Sequence, residues 1–123
     1  KIKDQSSVEI KEAIHKINNF DLVLIEADTQ NIQDLRQLVD SSKKSQSERC
    51  VLILSHHDSK LLMVCGVTDD IQESLSAHDV IQAIAKATNG KGGGRKDFAQ
   101  GAGEAENFKE FVNSIPDIVQ SIA

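Results

Sequence analysis

Residues 20–27 read FDLVLIEA, and residues 50–67 read CVLILSHHDSKLLMVCGV. Phe20–Ala27, Cys50–Ser55 and Leu61–Val67 are short, almost unbroken apolar runs rich in Val, Ile and Leu, the pattern of strands covered on both faces. The polar stretch His56–Lys60 between the last two predicts a hairpin. Outward from these runs, the spacing turns helical. Ser6 and Glu9 have capping-box spacing, and Ile10, Ala13, Ile14 and Ile17 recur at helical intervals, which predicts a first helix ending near Asn18-Asn19. A second helix is expected from about Thr29, with Ile32, Leu35, Leu38 and Val39 facing the core and Lys43-Lys44 complementing its dipole. Ser41–Glu48 and Thr68–Ser74 read as loops. Ser76 caps a third helix carrying Ala77, Val80, Ile81, Ile84 and Ala85, and Asn89-Gly90 stops it. Phe98–Gly101 reads as a short edge strand. A last helical stripe runs through Ala105, Phe108, Phe111, Val112, Ile115, Ile118, Val119 and Ile122, and Pro116 is expected to kink it, break it or open a second short helix. The order predicts an α/β (α+β) fold with a small mixed sheet of about four strands flanked by helices.

A chain of 123 residues with 39% hydrophobic content suits one domain with a modest core. Mean hydropathy is -0.31, no stretch is long enough to span a membrane, and no signal-peptide pattern opens the chain. Its start at Lys1 favours a fragment of a longer protein. A net charge of -5 argues against an indiscriminate nucleic-acid coat. Yet Lys86, Lys91, Arg95 and Lys96 fall in eleven residues that contain no acid. Cys50 and Cys65 read as core thiols rather than a redox pair, since their spacing matches no redox or zinc motif.

Those cations surround the most unusual segment. Six of the seven glycines lie between Asn89 and Gly103. Glycine reaches positive φ cheaply, and successive bare N–H groups can form a concave nest for an anion. The segment is not a Walker A loop, because Gly92 follows Lys91 and a helix precedes it. It is not a dinucleotide fingerprint either, since Arg95 stands where glycine is needed. Composition alone leaves a structural loop and an anion site equally open. Elsewhere the plain reading prevails. His56-His57-Asp58 is a solvated turn rather than a metal site. His15 and His78 are surface residues, and Asp69-Asp70 has a loop or capping role. Phe98, Phe108 and Phe111 belong to the core, with Phe98 the one candidate for stacking on a base.

Gly90-Lys91-Gly92-Gly93-Gly94-Arg95, followed by Asp97-Phe98-Ala99-Gln100-Gly101-x-Gly103, resembles the C-terminal signature of bacterial-type alanyl-tRNA synthetases and the related glycine-rich motif of the DHH-associated domain. The likeness extends over roughly Asp21 to Val119. Lys96 replaces a usual proline, and Ala102 a usual glycine. The resemblance implies an N-terminal helix following a connector (1–19) and a globular tRNA-binding domain (20–123) whose glycine-rich loop spans 89–103. It implies a non-catalytic module that contacts the tRNA through Lys91, Gly92, Gly93, Gly94, Arg95, Lys96 and, more weakly, Gln100. No metal or cofactor is expected in this domain; ATP, magnesium and zinc would serve other domains of the parent ligase. The expected partners are alanine-specific tRNA, the other domains of the same synthetase and a second copy of the chain, in the cytoplasm and away from membranes. The alternatives are a nucleic-acid-binding accessory domain of a DHH-type phosphoesterase or of a stand-alone alanyl-tRNA editing protein, or a dimerisation domain.

Overall fold

The computed structural model describes residues 10–17, 20–27, 31–45, 48–57, 59–73 and 75–122. In chain order these form β1 (Ile10–Ile17), β2 (Phe20–Ala27), α1 (Ile32–Ser45), β3 (Arg49–His57), β4 (Lys60–Val67), a 3-10 turn at Asp69–Ile71, α2 (Ala77–Ala87), β5 (Lys91–Gly94), β6 (Phe98–Glu104) and α3 (Phe108–Ile122). The sheet has six strands, rather than about four, in the order β1-β2-β3-β4-β6-β5. Only β2 and β3 pair in parallel, across the α1 crossover; every other pair is antiparallel.

Side chains alternate across a strand, so the apolar runs feed two cores. Val23, Ile25, Val51, Ile53 and Val64 meet Leu35 and Val39 of α1 on one face. Leu22, Leu24, Leu52, Leu54, Met63 and Cys65 meet Val80, Ile81, Ile84, Ile115 and Val119 of α2 and α3 on the other. The central strands are thus covered on both sides, as their unbroken hydrophobicity implies.

Four local expectations are corrected. Ile10–Ile17 is a strand, not a helix. Its register runs from Ile10 beside Ala27 to Ile17 beside Phe20, so an eight-residue ladder on a rigid neighbour overrides the helical spacing of its isoleucines, whose branched side chains already favour strands. The proposed cap at Ser6 and Glu9 lies outside the described residues. Helix α1 continues through Ser45, past the expected loop start at Ser41. Lys43 and Lys44 favour its carbonyl end, and Arg49 Nη1 donates to Ser42 Oγ at 3.1 Å. Strand β6 is internal, because the glycine run itself forms the edge strand β5. Finally, Pro116 sits inside α3 without ending it, so of the expectations there the break and the second short helix are the ones overturned. Ile115 and Val119 on either side are fully buried in one core, and that burial offsets the roughly 3 kcal/mol an interior proline costs.

Cys50 and Cys65 are free, fully buried thiols with Sγ atoms 3.7 Å apart. Desolvation first, then the hydrogen bond with Cys50, holds the Cys65 thiol well above its ordinary range. The raised value means that the folded state keeps a proton the unfolded chain releases. Stability therefore declines as pH rises above the ordinary thiol range of about 8.5. A thiol-specific disulfide reagent should label neither cysteine of the native chain at neutral pH and both in denaturant; labelling of the native chain at a free-thiol rate would contradict this burial.

Candidate nucleic-acid interface

The glycine segment is built on α2. Ser76 Oγ accepts from the Asp79 N–H at 3.1 Å and caps the helix start. Thr88 Oγ1 donates to the Ile84 carbonyl at 2.9 Å, and Asn89, at φ 53°, turns the chain out of the helix. The Gly90 N–H then donates back to the Ala85 carbonyl at 2.7 Å, so β5 leaves in a fixed direction.

The glycine run itself is a strand rather than an anion nest. None of the seven glycines has a positive φ. Lys91 pairs with Ala102, Gly92 with Gly101, Gly93 with Gln100 and Gly94 with Ala99. The outer edge of β5 faces α2, whose polar side chains close it. His78 Nδ1 accepts from the Gly94 N–H at 3.1 Å, and Gln82 Nε2 donates to the Gly92 carbonyl. The bare-amide reading is thereby corrected: these glycines serve close packing. The Cβ that Gly90 lacks would lie 1.9 Å from the Ala102 oxygen. Ala102 causes no conflict of its own, because it is exposed.

The turn from β5 to β6 is pinned from inside. The Arg95 carbonyl accepts from the His78 N–H at 3.1 Å, and the Lys96 carbonyl from the Ala77 N–H at 2.9 Å. These bonds occupy the first amides of α2, so an anion cannot use them. The Asp97 carbonyl accepts from the Val67 N–H and from Lys43 Nζ, at 3.1 and 3.3 Å. With its carbonyls turned inward, this turn presents its cations outward. The Arg95 side chain is 80% exposed and makes only a solvent-screened contact with Asp97 at 3.6 Å, the kind worth little. Lys91 and Lys96 are exposed, and among the described residues no carboxylate pairs with either. Lys91 and Arg95 stand at opposite ends of β5, about 13 Å apart at the rise of a strand. Gln100 is exposed beside Gly93. Beside β5 an open groove of about 830 Å³ is lined by Asp79, Gln82, Lys86, Lys91 and Gly92.

Lys86 thus joins the cationic set, and His78 and Gln82 support it. The sequence does carry a signal for this stripe: His78, Gln82 and Lys86 recur every four residues on the helix before the glycines, and so share one face. His78 is half-buried support rather than a plain surface residue. His56 is not a solvated turn residue either. It lies in β3, its Nε2 2.8 Å from the Ala105 oxygen and its ring stacked on Phe108 at 4.5 Å. Asp70 takes the loop role expected of it, accepting from the Glu48 N–H at 3.1 Å and from Thr68 Oγ1 at 2.6 Å. Phe98 packs on the α1 core with the Arg36 guanidinium 4.9 Å over its ring, so that face is occupied. Among the described residues no group of three metal-ligating side chains converges. No helix among them is long and apolar enough to cross a membrane.

Comparison with known proteins gives this geometry a context. The DHHA1 domain model matches residues 21–121. Alanine–tRNA ligases of Staphylococcus aureus, from strains bovine RF122 / ET3-1 and JH9, are each 30% identical over 114 residues. That match covers 92% of this chain but only 13% of the relative. The solved C-Ala domain of the Aquifex aeolicus alanyl-tRNA synthetase superposes with a TM-score of 0.77 at 30% identity, over 88% of this chain and 98% of that domain. A solved DHH-domain protein from a family of ribosomal proteins shares the fold at TM-score 0.60 and 13% identity, over 92% of this chain and 28% of its own.

Proposed function

The chain belongs to the DHHA1 domain family, and from that premise we propose that it is the non-catalytic, tRNA-contacting C-terminal domain of an alanine–tRNA ligase. The observation that carries this reading is the pinned turn with outward cations. Lys91, Arg95 and Lys96, with Lys86 beside them, give a local positive surface on an otherwise acidic chain. A rigid backbone beneath them limits the entropy lost on docking. Gly92 and Gly93 bring the strand close to α2, Gly94 lets it lie against β6, and together they set the height at which those cations stand. Gln100 supplies a neutral polar contact on the same strand pair. In the full ligase such a surface helps the aminoacylation and editing domains act on one tRNA, in the cytoplasm. The ATP, magnesium and zinc of that chemistry belong to those other domains.

The test is a salt titration of tRNA binding. Each phosphate contact releases counterions, so Lys91→Ala and Arg95→Ala should each weaken binding several-fold. Each should also lower the slope of log K against log salt by about one. Far-UV circular dichroism should stay unchanged. The parent should prefer whole tRNA to a duplex hairpin that lacks the elbow. Unchanged affinity and slope in both variants would refute the contact surface.

A further inference from the structure

Given the proposed tRNA contact, on which this step rests, we infer that the docking face runs from the β5–β6 hairpin onto α1, where Arg36 holds a further phosphate of the same RNA strand. Side chains of β6 alternate between the two faces of the sheet. Ala99 is buried in the core beneath α2 and α3, so Phe98, Gln100 and Ala102 look to the α1 side. Helix α1 lies over β3 and β4 and leaves Gln100 and Ala102 exposed. Arg95 joins this open face. Its N–H donates to the Phe98 carbonyl at 2.8 Å across a two-residue turn. Residues paired across a hairpin point to one side, with their Cβ atoms about 5 Å apart.

The wall of the face is one edge of α1, which Arg36 and Lys43 share, two helical turns apart. Arg36 holds its guanidinium 4.9 Å over the Phe98 ring, yet the residue is exposed. Among the described residues no acid or carbonyl takes its N–H groups, and Asp40, one turn on, makes no ion pair with it. An arginine that serves only the fold has its donors satisfied. This one is oriented by the ring and keeps all five N–H groups open. Stacking also removes rotamer freedom in advance, which limits the entropy lost on binding. The hairpin and α1 are tied together. Lys43 Nζ donates to the Asp97 carbonyl at 3.3 Å. Gly66 lets α1 come close there, since a Cβ on it would meet Val39 Cγ1 and, at 2.9 Å, Lys43 Cδ. Arg36 and Arg95 are thus both held beside one ring, two planar cations within reach of successive phosphates.

The test is a salt titration of tRNA binding by the 123-residue chain, with Arg36→Gln, Arg36→Lys and Phe98→Leu beside Arg95→Ala. Arg36→Gln keeps a planar group on the ring without the charge. It should weaken binding several-fold and lower the slope of log K against log salt by nearly one, with an unchanged circular dichroism spectrum. Arg36→Lys should keep the slope and lose part of the affinity, because a point charge lacks the planar fork. Phe98→Leu fills the same apolar site but releases the guanidinium. It should weaken binding several-fold in the parent and far less in the Arg36→Gln background. Parent-like binding by Arg36→Gln, while Arg95→Ala binds weakly, overturns the inference and leaves the tRNA reading standing. Weaker binding at the parent's slope also overturns it, since Arg36 would then act through the fold. So do equal losses from Phe98→Leu in both backgrounds, because the ring would then act apart from Arg36. Parent-like binding by Arg36→Gln, Arg95→Ala and Lys91→Ala alike removes the tRNA reading as well.

Discussion

Gly90→Ala should lower the unfolding free energy by about 3 kcal/mol, at the upper end of what overpacking usually costs. The added Cβ would stand 1.9 Å from the Ala102 oxygen, 2.5 Å from the Gly103 Cα and 2.8 Å from the Ala102 carbonyl carbon. All three are backbone atoms of β6, which is paired on both sides, to β4 and to β5. Gly90 cannot retreat either, because its N–H is held by the Ala85 carbonyl at 2.7 Å. Relief therefore requires β5 to separate from β6 or from the end of α2. Gly93→Ala makes a sharp contrast. Its Cβ would meet the His78 ring at 3.2 and 3.3 Å and the Gln82 amide at 3.4 Å. Those are side-chain atoms that need to give by only a few tenths of an ångström, which their hydrogen bonds to β5 can absorb, so the cost should stay below about 1 kcal/mol. Urea unfolding of both variants decides the matter, with the change read from the midpoint at constant m. Equal midpoints for the two would mean that the close approach at Gly90 is not structural. At temperatures where Gly90→Ala remains folded, its tRNA affinity should also fall, since the same distortion moves Lys91.

The contrast between two glycines in one motif explains what the sequence could and could not convey. The central strands were legible because Val23, Ile25, Val51 and Ile53 on one face, and Leu22, Leu24, Leu52 and Leu54 on the other, make runs that only a doubly covered sheet can bury. The cap at Ser76 and the stop at Asn89 were legible because they depend on local geometry alone. Strand β1 was not. Ile10, Ala13, Ile14 and Ile17 fit a helical face, and only pairing with β2, a tertiary interaction, decides against it. The glycine run is undecided from sequence for a related reason. Consecutive glycines announce that a side chain is unwelcome, but not whether the backbone turns through positive φ or lies against another strand. Here it does the second, and the edge strand gains partners from His78 and Gln82, residues whose sequence context marks them as ordinary helix surface. Of the candidate site, the cations and their clustering were visible in advance. Their support was visible only as a shared helix face at His78, Gln82 and Lys86, because its role requires knowing that α2 runs alongside β5.

That support can be probed from below. Ile81 is fully buried on α2, and its Cγ2 is the nearest atom to where a Gly92 Cβ would lie, at 2.6 Å; it is also 3.0 Å from the Cβ position of Gly101. The side chain thus fills the space that two glycines leave beneath the strand pair. Ile81→Ala should destabilise the chain by about 3 kcal/mol, the lost transfer energy plus the cavity term for an isoleucine that its surroundings cannot collapse onto. The paired β5 and β6 above it resist such collapse. Gly92→Ala alone should also destabilise, because the new methyl meets Ile81 as well as the Gly101 Cα at 2.7 Å and the Gln100 oxygen at 2.9 Å. In the Ile81→Ala background one of those three obstacles is gone and a void adjoins the methyl. The second substitution should then cost at least about 1 kcal/mol less than it does in the parent, a coupling in the range measured for residues in contact. The backbone contacts with β6 remain, so the rescue is partial. Full additivity in this double-mutant cycle would mean that α2 does not set the position of β5, and the phosphate-contacting role proposed for Lys91 and Arg95 would lose the rigid footing on which it depends.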